Sequence, residues 1–377
     1  MAGIYIHVPF CYTRCSYCDF YKTTDQQLKS EYIKAVCKEI DLNASFLKHE
    51  DIRTIYFGGG TPSTLKLNEV ETIIHHLQSY INTRLVKELT MEVNPDDVTE
   101  EYIQGLVKMG VNRLSMGIQS FVDVHLRKMN RRHNAQQAKD AIRIAKENGI
   151  ANMSIDLIYG LPYMSFEEWK SNVQFAIESN VQHISAYHLT FEKGTLYYDY
   201  LKKGKLAEIP EQKSIEQFDY LLNELDKAGF INYEISNFAI DGCESQHNSN
   251  YWTGVKYLGL GPSAHSFIDN NRRWNVRDTG KYIQALSSDG AYFEEEELTD
   301  SDRYNELVML GLRTSKGIDI SSIDNFNPII RTYFNDELKK QVSHGNVVLN
   351  DGFCLVPSTK KMITDRIISD FFYVDND

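Results

Sequence analysis

The amino-acid sequence predicts an α/β chain: a partial (β/α)6 barrel followed by a smaller α+β domain of winged-helix-like pattern. Strand-like apolar runs alternate with helix-periodic segments six times before residue 230. Gly110, Gly149 and Gly229 sit just past three of the helical patterns, where a left-handed cap ends a helix. Beyond about residue 290 the pattern changes to helices and then a hairpin signal. At 377 residues the chain exceeds one typical domain, which suits a large unit plus a small one.

Strands are expected at Ile4–Val8, Ile52–Phe57, Glu88–Val93, Arg113–Ile118, Asn152–Ile158 and His183–Leu189. The helices that follow them are expected at Gln27–Phe46, Leu67–Ile81, Thr99–Met109, Asn134–Asn148, Phe166–Ser179 and Pro210–Ala228. In the first, Ile33, Val36, Cys37 and Ile40 recur at helical spacing. Successive βα units imply a parallel sheet with right-handed crossovers. Six units are too few to close an eight-stranded barrel, so a three-quarter barrel over residues 1–230 is expected. Residues 231–290 read as a connecting segment and 291–377 as the C-terminal domain. There the acidic run Glu294–Glu297 reads as a solvated helix approach or linker, and Asp302–Leu312 as an amphipathic helix. A second helical region opens at Gly317-Ile318-Asp319, and a hairpin joins Val347–Leu349 to Phe353–Val356 around Asn350-Asp351-Gly352.

Charge narrows the function classes. Forty basic residues against 52 acidic ones give a formal charge of −12, so the chain has no general attraction for phosphate backbones. Nucleic acid is therefore not an expected partner, despite a local basic patch at Arg127, Lys128, Arg131 and Arg132. No stretch has the apolar length of a membrane helix, and no signal peptide is evident, so a cytoplasmic protein is expected. Cys37, Cys243 and Cys354 are scattered and read as free thiols of a reducing compartment.

The other three cysteines are different. Cys11, Cys15 and Cys18 form Cys-x3-Cys-x2-Cys, with ten residues before it. Three thiolates can hold three irons of a [4Fe–4S] cube and leave the fourth iron open for a small molecule. A zinc site completed by His7 is the alternative, although zinc favours paired Cys-x2-Cys units and no second pair follows.

In parallel barrels the chemistry gathers in the loops after the strands. The cysteine loop follows the first expected strand, Gly58-Gly59-Gly60-Thr61-Pro62 the second, and Glu92-Val93-Asn94-Pro95 the end of the third. Gly117-Ile118-Gln119-Ser120 closes the fourth, and Asp156 in the fifth leads to Gly160-Leu161-Pro162. Each alone is ordinary turn or cap chemistry; together they ring one barrel mouth.

On these motifs the chain resembles radical S-adenosylmethionine (SAM) proteins of the oxygen-independent coproporphyrinogen oxidase group, and within it the heme-chaperone (HemW-like) branch. The resemblance spans nearly the whole chain. It implies Cys11, Cys15 and Cys18 as cluster ligands, with SAM chelating the open iron through its amino and carboxylate groups. It implies Tyr5 and Tyr17 as aromatic neighbours of the cofactor, and Gly59, Gly60 and Thr61 as the strip that approaches its methionine end. Glu92, Gln119, Arg131 and Asp156 match polar SAM contacts: carboxylates and amides suit an ammonium and ribose hydroxyls, a guanidinium suits a carboxylate. Chemistry of this type is one-electron reductive cleavage of SAM to methionine and a 5′-deoxyadenosyl radical, with flavodoxin or ferredoxin as electron donor.

Two departures separate the chain from the oxidases. Their third cysteine is followed by Gly-Cys, where Asp19-Phe20 follow Cys18 here, and they carry a longer segment before the cluster loop. His247-Asn248-x-x-Tyr251-Trp252 matches a signature of the chaperone branch that is associated with heme binding. A neutral imidazole can ligate heme iron, aromatic rings can pack on a porphyrin, and Asn248 could orient His247. A packed core histidine is the competing reading. The resemblance also implies a C-terminal domain of the coproporphyrinogen-oxidase type, apo-hemoprotein clients such as respiratory enzymes, and a loose membrane association to meet them. No catalytic residue is assigned. Radical decarboxylation of coproporphyrinogen III to protoporphyrinogen IX is the alternative function, and radical modification of RNA a third, which the acidic charge disfavours.

Elsewhere His7 and His188 are expected near the barrel mouth, His75-His76 on a solvated helix face, and His265 in support of the heme region.

Overall fold

The structure, a computed structural model, describes residues 1–374. Its six leading strands are β1 (Ala2–Val8), β2 (Ile52–Gly59), β3 (Glu88–Val93), β4 (Arg113–Gln119), β5 (Asn152–Tyr159) and β6 (His183–His188). They pair in chain order and all in parallel. Helices Lys29–Leu42, Leu67–Gln78, Glu100–Lys108, Ala135–Glu147, Phe166–Glu178 and Glu211–Lys227 join or follow them. Ile4, Ile6 and Val8 are fully buried in β1, as expected of a parallel strand covered on both faces. Capping boxes at Asn134 and Ser165 start two of the helices. The α/β class and the open (β/α)6 barrel are as expected.

Residues 231–297 do not form a separate layer. They extend the same sheet at both edges, giving twelve strands among the described residues. At the β6 edge, β7 (Ile231–Asn232) and β8 (Asn237–Ala239) pair antiparallel. At the other edge, β9 (Lys256–Leu260) lies parallel to β1, and β10 (His265–Ile268), β11 (Asn271–Asn275) and β12 (Phe293–Glu297) follow antiparallel. Glu39 locks this extension to the first helix. Fully buried, it accepts hydrogen bonds from Gly261 N (2.8 Å), Asn275 Nδ2 (2.7 Å) and Tyr282 Oη (2.5 Å).

The acidic run corrects one expectation. Glu294–Glu297 is no linker or helix approach but the outermost strand, with Glu295 opposite Arg273 and Glu296 opposite Arg272. Exposed charges protect a sheet edge from pairing with another chain, and opposite charges across the ladder favour this register.

The C-terminal domain has its own core, built around Tyr304, Val308, Leu312, Phe334, Cys354, Ile368 and Phe371. Helices Asp300–Leu312, Pro328–Ser343 and Thr364–Phe371 pack over a small sheet of β13 (Ile318–Asp319), β14 (Val348–Asn350) and β15 (Phe353–Leu355). The hairpin turns at Asp351-Gly352 as the sequence suggests. Ser315 N donates to Tyr233 O (2.9 Å), and Lys361 reaches Asn232, so the domain is tied to the β7–β8 edge. Among the described residues no helix is long and apolar enough to cross a membrane.

Candidate functional site

The C-terminal ends of β1–β6 surround one cavity of about 620 Å³. Cys11, Cys15, Cys18, Tyr17, Gly59, Gly60, Thr61, Glu92, Gln119, Arg131 and Asp156 all line it. The loops gather because parallel strands in sequential order put every βα turn at the same end. Asp365 of the C-terminal domain reaches the rim.

Each wall has a physical cause. Cys11 Sγ lies 3.3 Å from Thr61 Oγ1, which ties the cysteine loop to the glycine strip. Gly59 sits at φ +109°, and a Cβ there would lie 2.5 Å from the His7 ring; one at Gly60 would strike the Pro9 carbonyl at 2.8 Å. Glycine is therefore required at both positions, and the strip runs flush against the end of β1. Arg131 is pinned from three sides: Nη1 donates to Cys15 Sγ (3.4 Å), and Nη2 to Gly117 O (2.5 Å) and Asn94 Oδ1. Its Nε–H is buried with no partner. Gln119 holds a left-handed backbone, φ +68°, where the β4–β5 register shifts.

Two acids face the cavity. Glu92 accepts from Tyr56 Oη (2.8 Å) and Gly59 N (3.1 Å). Burial, with Asp156 nearby, still raises it to about 7. Burial raises Asp156 to about 6, against the hydrogen bond from Ser185 and the pull of Arg113 and Arg131. Burial also raises the thiols of Cys11 and Cys18. Among the described residues no three His, Cys, Asp or Glu side chains are gathered so as to hold a metal ion. The thiols instead line one wall of a roomy cavity, and their raised pKa values mean that ligation itself must supply the driving force for deprotonation. That donor set fits a multi-iron cluster, and the half-paired acids and Arg131 fit an amino-acid cofactor bearing ammonium and carboxylate groups.

Several expected residues lie elsewhere. Tyr5 is not among the residues lining the cavity; its ring stacks near Tyr56 and His247 on the inner face of the sheet, and its hydroxyl meets His7 Nδ1 at 3.1 Å. His7 also lies behind the strip, its Nε2 at Tyr21 O (3.1 Å), while His188 does line the cavity.

The His247 motif forms the short helix Gln246–Trp252 at the opposite, N-terminal end of the barrel, beside Gly3, Thr54 and Glu88. His247 is 1% exposed. Its Nδ1 pairs with Thr54 Oγ1 (2.8 Å) and its Nε2 with Tyr251 Oη (2.9 Å). Glu88 accepts from the backbone N–H groups of Gln246 and His247 (2.9 and 3.0 Å). The imidazole, lowered to about 3 by burial and Arg113, is neutral and has no nitrogen to spare. Thr54 and Tyr251, rather than Asn248, orient it. Trp252 is partly buried beside it, with its Nε1–H unpartnered.

Sequence reasoning passed over Ser115 and Tyr187, which also line the cavity, and named Asn94 only as part of the Glu92–Pro95 loop without a role. Asn94 had a usable signal, since it follows Glu92 by two residues and so leaves the same strand end. Tyr187 is reached only through the strand order.

Comparison with known proteins agrees with this geometry. A family model described as the radical SAM superfamily matches residues 5–176, and the HemN C-terminal domain matches residues 298–357. "Heme chaperone HemW" of Bacillus subtilis is 34% identical over 84% of this chain and 85% of its own length. The protein of the same name from Synechocystis is 36% identical over 86% and 80%. The solved coproporphyrinogen III oxidase HemN from Escherichia coli superposes with a TM-score of 0.85 at 22% identity, covering 98% of this chain and 90% of that one, which shows a shared fold. Cysteine loop, glycine strip, paired acids and C-terminal domain thus converge on one assignment: the chain belongs to the radical SAM superfamily and, within it, to the HemW family of the HemW/HemN branch.

Proposed function

We propose that this chain is a heme chaperone: it holds a [4Fe–4S] cluster on Cys11, Cys15 and Cys18, binds SAM beside it, and carries heme to apo-hemoproteins. The observation that carries the cofactor part is the common cavity of the three cysteines with Glu92, Asp156 and Arg131. The heme part rests on the relatives' name and on their match over most of the chain.

Cys11, Cys15 and Cys18 would hold the cluster, and the chemistry available there once it is bound and reduced would be one-electron reduction of the SAM sulfonium. The chain's own groups do the binding and positioning. Gly59 and Gly60 leave backbone groups bare to the ligand. Glu92 and Asp156 accept from ammonium and hydroxyl donors, and a bound cation would pull both back toward the charged carboxylate. Arg131, already braced by Gly117, is held ready for a carboxylate while its contact with Cys15 favours the thiolate. Tyr17 and Tyr187 add apolar wall that excludes water. The clients are apo-hemoproteins, respiratory enzymes among them, and a flavodoxin or ferredoxin delivers the electron.

The test uses anaerobically reconstituted full-length protein. Heme is titrated by absorbance, and the same sample is assayed for coproporphyrinogen III decarboxylation. Stoichiometric heme binding without vinyl product supports the chaperone; vinyl product without specific heme binding overturns it in favour of the oxidase.

A further inference from the structure

We propose that heme iron is not held by His247 but in a second groove, on the far side of the cysteine loop, with His265 as the iron ligand and Arg277 as the propionate contact. This rests on the heme-carrier reading above and deepens it. The groove has a volume of about 360 Å³ and is lined by Phe20, Tyr21, Tyr257, His265 and Arg277, with Tyr251 as the one residue of the His247 motif that reaches it among the described residues. Asp19 and Phe20 wall both this groove and the central cavity, so the loop that leaves Cys18 is the partition between them.

Only one of the two histidines on the groove is available. His7 is 5% exposed, and both of its ring nitrogens are engaged, by Tyr5 and by Tyr21 O. The His265 ring is exposed and, among the described residues, makes no hydrogen bond. His265 sits on β10 directly opposite Trp274, so the sheet fixes its position.

Aromatic surface and charge are arranged to match a porphyrin. Phe20 is 67% exposed, a large apolar ring that the protein itself does not cover. Tyr257 forms part of the floor, and Tyr21 is braced by Thr279 (Oη to Oγ1, 2.9 Å). Arg277 is exposed on the lip and donates once, to Asp19 O at 3.1 Å. A guanidinium has five N–H donors, so most remain for a carboxylate. Arg272 is committed to Glu306 and Tyr257, which leaves Arg277 as the cation for a propionate. The groove is too open and too small to enclose a porphyrin, as suits cargo that must leave again.

The test titrates hemin into the cluster-loaded full chain and follows the Soret band and low-spin EPR signal of wild type, His265→Ala, Arg277→Glu and His247→Gln. His265→Ala should lose at least tenfold in affinity and shift its Soret band, with free imidazole restoring the wild-type spectrum. Arg277→Glu should weaken binding several-fold with an unshifted band, and His247→Gln, where folded by circular dichroism, should keep the wild-type spectrum. The cluster absorbance should be unchanged in His265→Ala. An unaltered spectrum and affinity in His265→Ala overturns the groove while leaving the carrier reading intact. A wild type that binds no heme overturns both.

Discussion

Glu92→Gln is the sharpest probe of the mouth. The carboxyl is raised from 4.5 to about 7 by burial, so it holds its proton in the folded protein and loses it in the unfolded chain over that interval. The folded state then binds more protons, and stability must fall as pH rises from about 4.5 to about 7. Between about pH 5.5 and 8 the loss worked from this shift is about 2 kcal/mol. Glutamine mimics the protonated acid and can still accept from Tyr56, but its amide nitrogen cannot accept from Gly59, at a cost of about 1 kcal/mol. The variant should therefore be slightly less stable than wild type near pH 5.5 and overtake it by pH 8. Urea unfolding of the cluster-free protein across that range reads the difference directly. SAM binding by the cluster-loaded protein should weaken at least tenfold, since a cation partner is lost. A stability difference that does not change with pH would refute the buried, proton-holding carboxyl.

Serine at Cys11, Cys15 or Cys18 should abolish cluster absorbance and bound iron while shifting the urea midpoint of the apo-protein little; iron analysis beside the unfolding curve checks both. Gly59→Ala should cost about 1–3 kcal/mol, because it combines a φ of +109° with a Cβ placed on the His7 ring, and it should impair SAM binding by equilibrium dialysis. His247→Ala should cost about 3 kcal/mol in denaturant unfolding, since a buried ring and two hydrogen bonds go together; a loss below about 0.5 kcal/mol would contradict its place in the core.

The barrel was legible because its signals are local. Each of β1–β6 is a short apolar run before a turn, and Gly110, Gly149 and Gly229 do take positive φ past their helices. The edge strands were not, because their partners are remote. β9 pairs with β1, Lys256 opposite Ala2, and nothing in Lys256–Leu260 distinguishes that from a loop. β12 is almost all glutamate and acquires strand structure from Arg272 and Arg273 on β11, not from its own propensity. The cavity residues could be inferred from their places at strand ends, whereas Tyr5 could not: it shares the inner face of the sheet with Tyr56 and Glu92 but lies further from the strand end and lines the groove instead. The His247 motif misleads for a related reason. Imidazole, hydroxyl and indole are the groups of a heme pocket, but an imidazole and hydroxyls equally satisfy one another when a short helix plugs the end of a barrel.

That plug is not isolated from the chemistry. His247 stacks on Tyr56 at 5.2 Å between ring centroids, and the Tyr56 hydroxyl donates to Glu92 at the opposite end of the barrel. Tyr5 packs against the same two rings and reaches His7, which backs the glycine strip and borders the groove. A change at His247 can thus reach Glu92 through one ring and the groove through two, with no ligand ever touching the imidazole. Loss of heme or SAM binding in a His247 variant would therefore not identify a ligand. The spectrum of the heme that still binds would, because altered packing lowers occupancy without moving the band, while loss of an axial nitrogen moves it.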